Sequence, residues 1–428
     1  MTESTTSTAS ALVRKLQTAE PQWLKSWRED GWEAYSSLPS ERLEKTDLTN
    51  RPWNFGPFPE SVSEPVSAKT QALLDSLANS ALVFVRDGVV DAVQLPEELR
   101  QKGVILTDLE TAVAEHEDLV KTHLGSVVAK DETKWAAANA ALWHGGAFLY
   151  VPRNVQLDAP LHFVYEESEA GNGAFPRVLV IAEENSQFSY VEATITRGEL
   201  KAGSVHSSVL EIVAKANARV KVVTLSEYAK GPTNYFIRRA QVGKDGLVEW
   251  IVGDVGDGFT VGLVESRLAG TGSRSTTRAI GLGTGRQHLD FTASMDHAGR
   301  FTESDITLHG IMTQRAASVY RSVTHIEKGA SGSGSEQHDR MLLLNSKARA
   351  DAIPMLLIDE NDVQRCGHAA SVGQIDPNQI YYLMSRGIPE HVATQMIVWG
   401  YLEPTVEEIP TEAMRNLFVQ RINEELGK

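Results

Sequence analysis

The sequence predicts a mainly β fold, a stacked parallel β-helix set between an N-terminal helical and α/β region and a C-terminal helical domain. Three observations predict it. From Ala147 onward, short runs of β-branched and aromatic residues succeed one another with almost no helical stretch between them. Turn clusters at Glu184-Asn185-Ser186, Ala216-Asn217-Ala218, Lys244-Asp245-Gly246 and Gly270-Thr271-Gly272 recur at an imperfect spacing of about 30 residues, inside the window of stacked repeats. Both ends of the chain switch instead to apolar positions at helical spacing. Short strands alone leave a large β-sandwich open as the alternative, while the recurring period and small polar corner residues point to the solenoid. The implied boundaries are residues 1–140, 141–372 and 373–428.

Each element follows from local chemistry. The start, MTESTTSTAS, is polar and is expected to fray. Leu12, Leu16, Trp23, Leu24 and Trp27 then recur at helical spacing, with Pro21 marking a turn between two short helices. Residues 38–66 are rich in Pro, Ser and Glu, an extended connection with Trp53 and Phe55 as a small aromatic anchor. Residues 70–77 predict a helix, 81–85 a short buried strand, Arg86-Asp87-Gly88 a tight turn, and 109–119 another helix. The middle region predicts strands at 148–151, 161–165, 177–181, 188–191, 209–213, 220–225, 247–252, 262–268, 288–293, 306–311 and 341–344. Near the end, Asp376-Pro377 supplies an N-cap followed by Pro at the first helical position, and Gly387 a left-handed C-cap. Pro389 opens a second helix with Val392, Ala393, Met396 and Ile397 on one face and Gly400 past its end, and a third runs from Thr411 to Leu426. These three helices are expected to cap the solenoid.

Composition narrows the function. The 428 residues are 42% hydrophobic and carry a net charge of −15, so a core is affordable and the basic stripe that neutralises phosphates is missing. Nucleic acid and anionic membrane surfaces are therefore not expected partners. With no basic-then-apolar start and no apolar window of bilayer length, the expectation is a soluble, cytoplasmic chain. The single cysteine, Cys366, excludes a disulfide framework, an all-cysteine zinc site and a self-contained all-cysteine iron–sulfur cluster.

Several motifs carry little. Gly281-Leu282-Gly283-Thr284-Gly285 lacks both the GxGxxG spacing and the Gly-Lys-Ser/Thr ending of a phosphate loop. Residues 329–335 are not a nucleophile elbow, because Ser333 stands where the second glycine is needed. His288, His297, His309, His325 and His338 show no His-x-x-x-His spacing and read as hydrogen-bonded or solvent-facing. Asp290, Asp296 and Asp305 are the carboxylates that a carbohydrate-active β-helix enzyme would use, although such enzymes are usually secreted. Cys366-Gly367-His368 differs, because on an extended strand the sulfur and the imidazole share one face and make a soft S/N pair suited to iron or zinc. Two ligands cannot hold a cluster alone, so a second subunit would have to complete the site. The competing reading is a buried cysteine beside an ordinary histidine.

From Cys366 through Ile375-Asp376, and on through Ile380-Tyr381-Tyr382-Leu383-Met384-Ser385-Arg386-Gly387, the sequence closely resembles the SufB/SufD family of iron–sulfur cluster assembly scaffolds. The family pattern is approximately Cys-x-His-x-Ala-Thr-x-Gly-x-Ile/Leu-Asp followed by Phe-Tyr-Leu-x-Ser-Arg-Gly. Residues 146–152, 341–348, 354–358 and 103–109 also resemble family segments. The resemblance implies a right-handed parallel β-helix, a non-catalytic scaffold role, and a complex with a SufB-like subunit and a SufC-like ATPase. In that complex the ATPase docks near the C-terminal helices and the scaffold subunits pair through the ends of their β-helices. The second cysteine of SufB chains and the acidic residue after their motif histidine are both absent here, where Ala369 follows His368, so the chain resembles the SufD branch. By that resemblance His368, with Cys366 beside it, is a candidate ligand of a transient iron–sulfur cluster shared with the partner subunit, with none held tightly by the chain alone. A homodimer through the same edge, as a storage or resting form of the chain alone, is a further alternative.

Overall fold

The computed structural model describes residues 11–48, 51, 55–168, 173–198, 203–228, 231–256 and 258–427. Trp53 and the Ser/Thr-rich start lie outside the described residues. The N-terminal third holds helices α1 (Gln22–Ser37), α2 (Ala68–Ser76), α3 (Glu97–Gln101), α4 (Leu109–Glu115), α5 (Glu117–His123) and α6 (Lys134–Leu142). Among them run strands β1 (Ala81–Arg86), β2 (Val89–Gln94) and β3 (Ile105–Asp108). Then come β4 (Ala147–Val151), β5 (Leu161–Glu167), β6 (Gly173–Ala174), β7 (Arg177–Ala182), β8 (Gln187–Thr196), β9 (Val205–Ala214), β10 (Arg219–Tyr228), β11 (Thr233–Val242) and β12 (Leu247–Gly256). The series ends with β13 (Phe259–Leu268), β14 (Arg274–Gly283), β15 (His288–His297), β16 (Glu303–Met312), β17 (Ala317–Ile326), β18 (Ser333–Leu343), β19 (Arg349–Ile358) and β20 (Val363–Gln374). Helices α7 (Pro377–Met384), α8 (Glu390–Val406) and α9 (Glu412–Leu426) close the chain.

From β8 on, successive strands alternate between two sheets, so each coil of the solenoid contributes one strand to each face. The even sheet runs β2-β1-β5-β8-β10-β12-β14-β16-β18-β20 and the odd sheet β19-β17-β15-β13-β11-β9-β7-β4-β3. Pairing between successive coils is parallel, with Gln187, Arg219, Leu247, Arg274, Glu303 and Gly334 stacked in one register, which fixes a coil of about 30 residues. The predicted period therefore reflects a real repeat, and the β-sandwich alternative falls. The predicted turns are its corners. Asn154, Asn185, Asn217, Asp245, Gly272, Phe301 and Gly332 all take left-handed backbone, with φ between 54° and 74°. The N–H of each donates to a carbonyl of the next coil, on Glu184, Ala216, Lys244, Thr271, Arg300, Ser331 and Asp362 in turn. Asn, Asp and Gly suit such a corner because they tolerate positive φ, and the ladder satisfies backbone groups that a turn would otherwise leave unpaired.

Between the sheets lies a core that includes Val83, Leu161, Tyr190, Val222, Trp250, Val264, Leu289, Ile306 and Leu308. Polar groups share this interior and answer one another within and between coils. Glu167 meets His206 at 3.1 Å, Tyr190 donates to Glu192 at 2.9 Å, and Trp250 donates through Nε1 to Ser266 at 2.9 Å.

The outer faces of both sheets are covered along part of their length. The N-terminal helices lie against the odd sheet, where Trp143 and Leu109 meet Phe148, Leu179 and Ile181, and Tyr35 and Trp135 join Phe175 and Tyr235. The C-terminal helices do not cap the solenoid as expected. They fold back along the outer face of the even sheet, placing Val398, Leu402, Phe418 and Ile422 against Val223, Ile251, Ile280 and Ile311. The even strands carry apolar residues on their outward face, Val223, Ile251, Ile280 and Ile311 among them, and that is the surface the helices cover. Two details of α8 also differ. Met396 is exposed, with Ala393, Val398 and Leu402 forming the buried stripe, and the helix continues through Gly400 to Val406 with Pro404 inside it. No helix among the described residues is long and apolar enough to cross a membrane.

Candidate functional site at the open coil

β20 is the outermost strand of the even sheet and β19 of the odd sheet, so the last coil presents unpaired backbone on both sides. The predicted Cys366 and His368 both lie on β20. Parallel pairing sets Cys366 beside Ser335, His368 beside Gln337 and Ala370 beside Asp339 on β18. Ser335, Gln337 and Asp339 are fully buried inward-facing residues, so their partners on β20 belong to the same inward row. The extended-strand expectation for the Cys-x-His pair therefore holds. Cys366 is half-buried and His368 exposed, a gradient from wall to mouth. Burial pushes the Cys366 thiol above its ordinary value, and the Glu336 carboxylate adds to this while the Ser335 backbone amide opposes it.

Beneath this pair the interior is polar and connected. His297 Nε2 lies 2.8 Å from Ser304 Oγ, which donates to Ser335 Oγ at 2.9 Å. The hydroxyls of Ser335 and Thr324 are 2.8 Å apart, and Gln337 Nε2 donates to Thr324 Oγ1 at 2.7 Å and to the Met355 carbonyl at 3.1 Å. Gln337 thus ties the two sheets together at the mouth. Ser322 Oγ donates to Asp339 Oδ2 at 2.7 Å, while Asp339 Oδ1 has no hydrogen-bond partner among the described residues. Burial raises the Asp339 carboxyl to about 6, against the pull of the Ser322 hydroxyl and of His368 and His338. The sequence reading takes Asp339 only as an acidic neighbour of the strand-region histidines and does not assign it to this site. What ties it to the site is its place one coil before Ala370, which requires the register to be known.

Of the other candidates, His297 reaches this network through Ser304, and the rest sit elsewhere. His288 meets Thr46 at 2.9 Å, His297 is buried against Thr302 and Ser304, and His338 is exposed. His325 lies between Asp296 at 3.1 Å and Asp359 at 3.2 Å on the outer face of the odd sheet. His309 departs from the expectation, since its Nδ1 is buried without a partner and burial lowers its pKa to about 4. The carboxylates of the glycan-enzyme alternative do not form a pair. Asp290 is bound by Thr46 and Arg321, Asp296 by Arg267 and His325, and Asp305 lies on β16 in the other sheet. Asp290 and Asp296 are six residues apart on one strand, about 20 Å, too far to act on one bond.

Comparison with known proteins now fits this geometry. The family described as SUF system FeS cluster assembly, SufBD core domain, matches residues 163–401, and the SufBD protein N-terminal region matches residues 14–163. The chain belongs to the SufBD family. It is 40% identical over 414 residues to the iron–sulfur cluster assembly protein SufD of Bacillus subtilis, covering 94% of each chain. It is also 30% identical to an iron–sulfur cluster assembly SufBD family protein of Staphylococcus epidermidis, over 92% of this chain and 87% of that one. A SufBD family protein of Staphylococcus haemolyticus is 35% identical over 318 residues, 74% of this chain and 68% of the relative. The SufBD core match takes in β20 and α7, and so contains Cys366, His368 and the helix that follows them.

Proposed function

We propose that this chain is the SufD-type scaffold subunit of an iron–sulfur cluster assembly complex, in which it pairs with a SufB-like subunit and a SufC-like ATPase. One observation carries the reading: the Cys366/His368 pair stands in the inward row of a terminal strand whose outer edge is unpaired. A partner strand added to that edge would bring its own side chains level with Cys366 and His368, completing a ligand set that two residues cannot provide. Exposed apolar residues flank the edge, with Leu357 52% and Ile358 40% exposed at the end of β19 and Val372 45% exposed on β20. The nascent cluster is cargo, held between a thiolate and an imidazole here and the partner's ligands opposite, and such mixed ligation suits release to an acceptor. Exposed Tyr381, Tyr382, Met384 and Met396 on α7 and α8 offer a separate apolar surface for the ATPase. The chain has no Gly-Lys-Ser/Thr phosphate loop of its own, so ATP hydrolysis belongs to that partner.

The test is native mass spectrometry of the chain co-expressed anaerobically with SufB-like and SufC-like proteins, reading stoichiometry, iron and sulfide together. A heteromer whose iron falls in His368→Ala is the expected result. A chain that remains alone or forms only homodimers would overturn the pairing, and unchanged iron in the variant heteromer would overturn the ligand role.

A further inference from the structure

The Gly281–Gly285 segment, which is no phosphate loop, turns out to shape a different feature. Three successive coils make the same corner between the even and odd sheets: 284–287 joins β14 to β15, 313–316 joins β16 to β17, and 344–348 joins β18 to β19. These corners stack firmly. Thr313 N–H donates to the Gly283 carbonyl and Arg315 N–H to the Gly285 carbonyl, both at 3.0 Å, while Asn345 Oδ1 accepts from Thr313 Oγ1 and Gln314 N–H, both at 2.6 Å. Gly285 and Gln314 take the left-handed backbone that the corner demands, with φ of 58° and 55°.

The stack sets Arg286, Arg315 and Lys347 one above another, all three exposed, around an open concavity of about 490 Å³ also lined by Gln314, Asn345 and Ser346. In a chain of net charge −15, residues 281–289, 311–318 and 341–350 contain no Asp or Glu at all. Several other guanidiniums on the solenoid's exterior are answered by carboxylates, Arg267 by Asp296 and Glu327, Arg239 by Glu132 and Glu265, and Arg274 by Glu303, while Arg219, Arg340 and Arg349 stand singly. Arg286, Arg315 and Lys347 have no such ion pair among the described residues.

Three cations one coil apart span about 10 Å along the solenoid axis. Carboxylates at i, i+3 or i+4, and i+7 of an α-helix advance by about 10 Å, whereas same-face residues of an extended strand advance by about 13 Å over the same two steps. The lining offers no aromatic wall on which a nucleotide base could stack, and two of the three cations are guanidinium forks matched to carboxylates. From this we infer that the corner is a docking site for an acidic helix of a partner protein, lying parallel to the solenoid axis with its carboxylates on Arg286, Arg315 and Lys347. The inference is independent of the cluster-site reading, since it concerns a different corner and different residues.

The test uses the full chain and a hydrocarbon-stapled peptide bearing Glu at i, i+3 and i+7, followed by fluorescence anisotropy. The same peptide broken by a central proline, and inorganic phosphate as competitor, serve as comparisons. The stapled peptide should bind, and the triple variant Arg286→Glu, Arg315→Glu, Lys347→Glu should weaken it by about tenfold or more, from three exposed ion pairs lost. Binding should also weaken as salt rises from about 50 to about 300 mM. A peptide with Lys in place of Glu should bind the triple variant and not the native chain. Absence of peptide binding, equal binding of the proline-broken peptide, or equal binding by the triple variant with an unchanged melting profile would overturn the proposal. Displacement by phosphate at equimolar level would reduce the corner to a simple oxyanion site and would likewise overturn helix docking.

Discussion

Arg177→Met tests how the N-terminal helices are locked to the solenoid, because Arg177 begins β7 and its guanidinium reaches β9, α6, α1 and the loop before α6 at once. Nε and Nη2 donate to Glu211 Oε1 at 3.0 and 2.6 Å, Nη1 donates to Asn139 Oδ1 at 3.0 Å, and Nη2 donates to the Val128 carbonyl at 3.2 Å. The ring of Trp27 covers the guanidinium, 5.1 Å from its centroid. Both partners of the ion pair are fully buried, so methionine would leave the Glu211 charge without its counter-ion inside the protein. Breaking a buried pair in this way costs about 3–5 kcal/mol. Glu211 keeps three backbone donors, Gly125, Val127 and Val128, at 2.9 to 3.1 Å, which places the loss at the lower limit, about 3 kcal/mol. For a chain of this length unfolding as one unit, that lowers Tm by about 3–4 °C. Urea unfolding followed by tryptophan fluorescence reads it directly, since Trp27 stacks on the guanidinium. Adding Glu211→Gln removes the stranded charge and should recover at least half of the loss. A single variant that loses under about 1 kcal/mol, or a double variant no better than the single one, would refute this account of the junction.

Other outcomes follow from the same coordinates. His368→Ala should fold and pair normally, because the side chain is exposed, while lowering iron and sulfide in the assembled complex. Asp254 is buried between the sheets, and burial raises its carboxyl to about 7 against the pull of Arg238. A carboxyl raised on folding binds more protons in the native state, so the stability it contributes is complete below about pH 4 and is lost as pH rises through about 7. The loss is on the order of 4 kcal/mol, and Asp254→Asn should flatten denaturation midpoints across that window. Gly253→Val would set a Cβ 2.6 Å from the Phe418 ring and 2.7 Å from Leu225, so α9 should lift from the even sheet and become the first site of limited proteolysis. An α9 as resistant as in the native chain would show that the interface yields elsewhere.

Much of the fold was legible in the sequence because the corners announce themselves chemically: Asn185, Asn217 and Asp245 are residues that accept positive φ, and they recur once per coil. Among the strands the reading passed over, β11, β14 and β17 share a cause. Their inward positions include Asn234 and Arg238, Ser275 and Thr277, and Ser318, Ser322 and Thr324, all buried. A polar lumen erases the apolar-in, polar-out alternation from which strands are read, and several of these side chains are hydrogen-bonded inside it, Ser275 to Ser266 and the Val248 carbonyl, Ser322 to Asp339 and Thr324 to Ser335. The same cause hid the place of Asp339 in the site. The direction of the C-terminal helices was illegible for another reason: amphipathic spacing shows that α8 and α9 have a buried face, but nothing local says which surface receives it. The Cys366/His368 pair was visible because it is adjacent in sequence, whereas Arg286, Arg315 and Lys347 form a row only once the coil length is known.

The unpaired β20 edge also has a history in the life of the chain. Each coil is built on the one before it, with contacts about 30 residues back, so as synthesis proceeds every new strand finds a template already laid down. At each moment the exposed edge belongs to the newest coil and is buried by the next. The sequence then departs into α7, and the helices turn back along the solenoid instead of covering its end. What the finished protein offers to the outside is therefore its growth front, arrested in a state where one more strand from any source with the right register would simply be the next coil.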